Sequence, residues 1–123
     1  MISKKKEIKV DGEIYQLWFN NYAMFEMASM YGVDQRDIMK RVSERLSDNF
    51  LLLIGDLFWA GYKGAKLALN KPAELTREQI NEIVAIAPMD DLFELWEIFK
   101  DVNGMNEPVE EDKKKAIKKK VKK

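Results

Sequence analysis

From residue 7 to 20 apolar and polar side chains alternate, the period of a half-buried strand, and Asp11-Gly12 interrupts them with the pair that suits the positive φ angles of a type I′ turn. With Val10 opposite Glu13 and Ile8 opposite Tyr15, the side chains Ile8, Val10, Tyr15, Leu17 and Phe19 share one face, and Glu13 stands at its rim. A lone hairpin is marginal in water, so that face predicts helices packed upon it. The period then lengthens. Asn20 or Asn21 caps a helix running to Tyr31, and Gly32 ends it in the left-handed conformation. Asp34 caps a second helix, about 35–46, with Ile38, Met39, Val42 and Leu46 on its apolar side and the pairs Asp37/Arg41 and Lys40/Glu44 on the other. On that side Arg36, Lys40, Arg41 and Arg45 read as a solvated face.

Asp48 opens the longest helical segment, about 49–69, in which Asp56, Lys63 and Lys66 gather within one arc and the rest of the circumference is almost wholly apolar. This is the expected central helix. Thr76 and Gln79 form a capping box for a helix burying Ile80, Ile83, Val84 and Ala87. Pro88 breaks that helix, Asp90 restarts it, and Leu92, Leu95, Trp96 and Phe99 make the next stripe before Asn103-Gly104. The pattern predicts an α+β fold: a mainly helical single domain over 1–106, with an N-terminal two-stranded β-hairpin packed on about five helices, and a charged, flexible basic tail over 107–123.

Two features do not fit a plain amphipathic pattern. Leu52 and Trp59 fall inside the polar arc of the central helix, where either another helix of the chain covers them or they form half of a binding groove. Asp90, Glu94, Glu97 and Asp101 recur at intervals of 4, 3 and 4 as an acidic ridge, which is a wet surface or a face for a basic partner. The candidate partner-binding residues are therefore Leu52, Trp59, Lys63 and Lys66 on the central helix and Asp90, Glu94, Glu97 and Asp101 on the last one.

Composition narrows the chemistry. The chain has no Cys and no His, which removes disulfides, zinc fingers, thiolate nucleophiles and imidazole bases together. The carboxylate clusters Asp90-Asp91 and Glu110-Glu111-Asp112 have no supporting ligands and do not converge. A non-enzymatic protein without catalytic, cofactor-binding or metal-binding residues is expected. Gly61-Tyr62-Lys63-Gly64 matches the GXXG clamp of KH domains, but the segments around it do not follow the KH order, and two small residues where a long helix packs closely explain it better.

The formal net charge is zero, yet it is unevenly spread: residues 107–123 hold eight lysines against four acids, leaving thirteen bases against seventeen acids before them. Such a Lys run can neutralise phosphates whatever the base sequence, although a solvated terminus is the simpler reading. No apolar run reaches the ~20 residues that span a bilayer, and a polar strand follows Met1 to Lys6 rather than an apolar signal segment. A cytoplasmic location and no membrane partner are expected.

The order of these features carries a resemblance. The hairpin Ile8-Lys9-Val10-Asp11-Gly12-Glu13-Ile14-Tyr15-Gln16-Leu17-Trp18-Phe19, followed at once by Asn-capped Ala23-Met24-Phe25-Glu26 and ending at Tyr31-Gly32, resembles the opening of tail assembly chaperones of long-tailed bacteriophages. Their common pattern there is "I-x-G-K-x-Y-x-L-x-F … A-L-x-x-L-E … G". Phe58-Trp59-Ala60-Gly61-Tyr62-Lys63 is similar to the family's "L-L-x-A-G-L-K" segment, and Leu75-Thr76-Arg77-Glu78-Gln79-Ile80 to its "L-T-x-E-x-V" helix start. The likeness covers about residues 7–102. Glu13 replaces the usual Lys after the turn Gly, and Met24 and Met27 stand where Leu is usual.

The resemblance implies a protein of the host cytoplasm, absent from the mature virion, that binds the hydrophobic tape measure protein, keeps it soluble and recruits tail tube subunits. Seven methionines suit adaptable apolar contacts. It also implies a longer product made by a frame shift near the gene's end, for which the Lys runs at 113–115 and 118–120 are the candidate slippery stretches. Self-association stays open. The alternative is a small nucleic-acid-binding regulator using Gly61 to Gly64 and the Lys-rich tail, a reading the balance of motifs disfavours.

Overall fold

The chain reverses at Asp11 and Gly12, whose φ angles of 52° and 85° are the two positive values a type I′ turn needs. In this computed structural model, which describes residues 3–104, the turn joins β1 (Lys4–Val10) to β2 (Glu13–Phe19) as one antiparallel pair. The register sets Val10 opposite Glu13 and Ile8 opposite Tyr15, so a single face collects Ile8, Val10, Leu17 and Phe19, all buried. Tyr15 completes that face with its ring edge-on to Phe58, centroids 6.0 Å apart. β1 extends back to Lys4, beyond the alternating stretch, which brings Lys4 and Lys6 onto the inner face as well. On the outer face the Lys5 ammonium lies over the Trp18 ring, 4.1 Å from its centroid.

Five helices follow. Asn20 caps α1 (Asn21–Tyr31) by accepting from the Ala23 amide, and Gly32, at φ 66°, closes it while the amides of Gly32 and Val33 bond back to the Ser29 and Ala28 carbonyls. A 3₁₀ turn (Gln35–Asp37) precedes α2 (Ile38–Asp48), where one α-helix starting near residue 35 was expected. Asp34 makes no side-chain cap there. The expected cap at Asp48 shifts by one: Asp48 is the last residue of α2, and the Asn49 side chain caps α3 (Phe50–Ala68) by accepting from the Leu51 and Leu52 amides. The capping box of Thr76 and Gln79 opens α4 (Arg77–Ile86). Pro88 then separates it from α5 (Met89–Val102).

α3 is the axis around which the others assemble, touching β2, α1, α2, α4 and α5. Leu53, Ile54, Leu57 and Phe58 are fully buried on it, together with Leu17 and Phe19 from the hairpin and Met27, Ile38, Ile80, Leu92 and Phe99 from the other helices. Each such side chain contributes about 1.5–3 kcal/mol relative to exposure. The hairpin approaches α3 where the helix has no side chains. A Cβ at Gly61 would lie 3.0 Å from Leu17 Cβ and 3.1 Å from the Phe19 ring, and one at Gly64 would overlap the Trp18 carbonyl oxygen. The segment Gly61 to Gly64 is thus helix interior, turned toward the strands.

This is the α+β architecture of a hairpin packed on five helices. Among the described residues no helix is long and apolar enough to cross a membrane. The expected boundary at 106/107 and the basic tail lie outside the described residues.

Candidate functional site

Asp56 sits in the middle of α3 and is 1% exposed. Its Oδ2 accepts from the Tyr31 hydroxyl at 2.7 Å and from Arg45 Nε at 2.9 Å, and its Oδ1 accepts from Arg77 Nη2 at 2.9 Å and Arg45 Nη2 at 3.2 Å. One carboxylate therefore ties together the end of α1, the last turn of α2 and the start of α4. Gly55 makes the reach possible, because a Cβ there would stand 2.9 Å from Arg77 Nη2. Burial first, and then the bond to Asp56, hold the Tyr31 phenol well above its ordinary range, whereas the Arg45 guanidinium is raised chiefly by the bonds it donates to Asp56.

The arrangement corrects the sequence reading at two places. Asp56 does not face water with Lys63 and Lys66, and Arg45 does not belong to a solvated basic face. The same anomaly that marks Leu52 and Trp59, apolar residues one turn before and three residues after Asp56 on its side of the helix, also marks Asp56 as a residue another element could cover. Arg41 stays on the surface, paired with Glu44 at 2.7 Å in place of the expected Asp37.

Outside this knot lies a trench. Its cationic end is a cavity of about 400 Å³ edged by Tyr31, Arg41, Arg45, Asp56 and Arg77. Leu52, Arg77 and Asn81 also line the adjoining cavity of about 440 Å³, which is floored by Leu51, Val84, Ala87 and Met89. Leu51, Leu52 and Met89 are 49%, 48% and 46% exposed. Phe93, 49% exposed, extends the apolar surface by packing on Phe50 with centroids 5.3 Å apart. Clustered large apolar side chains on a folded surface make this the candidate contact area for another molecule.

A third cavity, about 580 Å³, lies between the hairpin and the end of α3, with Glu7, Glu13 and Glu74 interspersed with Lys66 and Lys71. Tyr62 closes its floor by accepting from the amides of Glu74 and Leu75 at 2.8 and 2.9 Å. Its apolar residues, Ile14, Leu69 and Leu75 among them, are interrupted by charges of both signs, so it selects no ligand class.

The candidate residues do not form one patch. Leu52 stands in the trench, half-exposed and not covered by another helix among the described residues. Trp59 is half-buried against α1 and donates from Nε1 to Glu26 at 2.9 Å, which is the covering-helix alternative realised for this residue. Lys63 shares that carboxylate at 3.7 Å and lies over the Trp59 ring, while Lys66 lies over Tyr62. The acidic ridge is partly occupied from within. Lys6 of β1 binds Glu94 at 2.7 Å and Asp91 at 3.2 Å, Lys4 pairs with Asp101, and Lys100 pairs with Glu97 at 3.0 Å. The bond to Glu94 leads the causes that raise the Lys6 ammonium. Asp90 is exposed in the first turn of α5.

No protein-family model, curated protein or solved structure matches this chain. The functional reading therefore rests on the residues themselves. Among the described residues no group of three or more acids, His or Cys is placed to hold a metal ion. What the trench offers is apolar area joined to guanidinium donors, a combination suited to a polypeptide segment.

Proposed function

We propose that this protein is a non-catalytic tail assembly chaperone of the long-tailed phage kind, which holds the tape measure protein in soluble form in the host cytoplasm, brings tail tube subunits to it and is absent from the finished virion. The single observation that carries the binding part of this reading is the trench: Leu51, Leu52 and Met89 stand half-exposed together at the junction of α3, α4 and α5. Exposing them costs free energy that a client could recover by covering them. The order of hairpin, Asn-capped helix, central apolar helix and capping-box helix supports the family assignment, and Met89, half-exposed in the trench, suits a client whose side chains vary along its length.

Co-expression tests it. A tape measure protein produced together with the wild-type chain should accumulate in the soluble fraction and co-purify with it, and Leu52→Asp should abolish both while the variant itself stays folded. A client equally soluble with and without this chain would remove the proposal.

A further inference from the structure

We propose that the cationic end of the trench receives a carboxylate side chain from the client, so that the bound segment is amphipathic, with an acidic residue beside its apolar stripe. This deepens the polypeptide-binding reading and rests on it. Three guanidiniums, Arg41, Arg45 and Arg77, edge this cavity against one carboxylate, Asp56. Counting Glu44, the surface partner of Arg41, still leaves a surplus of positive charge. Asp56 already accepts four hydrogen bonds and is shut from solvent, whereas the Arg45 and Arg77 side chains are each 31% exposed. Asp56 fixes both guanidiniums, and Arg77 also donates to Asn81 Oδ1 at 3.0 Å and Met30 Sδ at 3.2 Å, so the N–H groups still open to a ligand are chiefly those of Arg45 Nη1 and of Arg41. A donor fork held rigid before binding loses little entropy on meeting a carboxylate.

The apolar floor decides which kind of anion. Leu52 lines both cavities, and Arg77 and Asn81 bridge them, so a ligand long enough to fill both meets the guanidiniums at one end and Leu51, Leu52 and Met89 at the other. A free phosphate or a nucleic-acid backbone would leave that surface wet. A helix with apolar side chains at i and i+4 and an acid one turn further on covers both ends of the trench.

Three fluorescein-labelled synthetic 16-residue helical peptides test this on the full chain by fluorescence anisotropy. They share a Leu stripe and differ in a single position beside it: Glu, Gln or Lys. The Glu peptide should bind about tenfold more tightly than the Gln peptide at low salt, with the gap closing at 0.5 M NaCl. Arg41 lies on the surface, so Arg41→Glu leaves the Asp56 knot intact and should reverse the preference toward the Lys peptide. Leu52→Asp should lose all three. Equal binding of Glu and Gln peptides would overturn the carboxylate pocket while leaving a polypeptide-binding trench. Failure of every peptide to bind would overturn both. Displacement of the Glu peptide by millimolar inorganic phosphate would reassign the pocket to small anions. A dimer in sedimentation that Leu52→Asp converts to monomer would give the trench to a second copy of the chain, and would likewise overturn the inference.

Discussion

Replacing Asp56 by Asn keeps the shape and removes the charge. The side chain is 1% exposed and receives four hydrogen bonds, at 2.7 to 3.2 Å, from Tyr31, Arg45 and Arg77. An amide offers one acceptor oxygen and turns its own N–H groups on the remaining donors, of which the Tyr31 hydroxyl can accept but the guanidiniums cannot. Removing one partner of a buried ion pair costs about 3–5 kcal/mol, chiefly because the remaining charge is stranded. Here the stranded guanidiniums are 31% exposed and can regain some water, which places the loss at the lower end, about 3 kcal/mol. With a urea slope of about 1.5 kcal/mol/M, the midpoint should fall by roughly 2 M at unchanged slope. The melting temperature should drop by roughly 12–24 °C.

Trp fluorescence and far-UV circular dichroism followed through the same urea titration would measure it. A loss below about 1 kcal/mol would refute the view that this carboxylate fastens α1, α2 and α4. A triple variant separates charge from packing. Asp56→Leu combined with Arg45→Met and Arg77→Met should recover most of the lost stability, since an apolar replacement of a whole buried ionic group is often neutral or better.

Three further outcomes follow from the geometry. Gly64→Ala should destabilise more than Gly61→Ala in the same urea assay, and by about 2 kcal/mol or more, because a Cβ at 64 would overlap the Trp18 carbonyl oxygen whereas at 61 the tightest approach is 3.0 Å, to Leu17 Cβ. Phe58→Ala should cost about 3–5 kcal/mol by chemical denaturation, the ring being fully buried at the centre of the core. Tyr31 has a phenol raised in the folded state, so its contribution is complete below the unfolded value of 10.0 and is lost as pH rises beyond it. Tyr31→Phe should therefore lose less stability than wild type between about pH 10 and 11.5, and equal losses in the two proteins would contradict the raised phenol.

Local chemistry was legible wherever a residue's role depends on its neighbours in sequence. Asp11-Gly12 named its turn, Gly32 its helix end, and Thr76 with Gln79 a capping box whose two reciprocal bonds are present. The alternation at Ile8, Val10, Leu17 and Phe19 found the buried face of the hairpin. Contacts between distant elements were not legible. Asp56 meets Arg77 across 21 positions, and Lys6 meets Glu94 across 88. A helical wheel therefore reads these acids as solvent-facing, because it contains no information about what arrives opposite them. Leu52 was legible as an anomaly of its helix, but the trench around it needed Arg77, Asn81 and Met89 from two other helices.

The first strand and the last helix of the described chain are stitched to each other by Lys4 with Asp101 and Lys6 with Glu94 and Asp91. Synthesis runs from the N-terminus, so the hairpin leaves the ribosome long before α5 exists to lie along it. Until Leu92, Leu95 and Phe99 emerge, a greasy sheet surface bearing Ile8 and Val10 has no complete cover. A message broken off before that point yields a product that cannot close, and such fragments should be cleared by proteolysis.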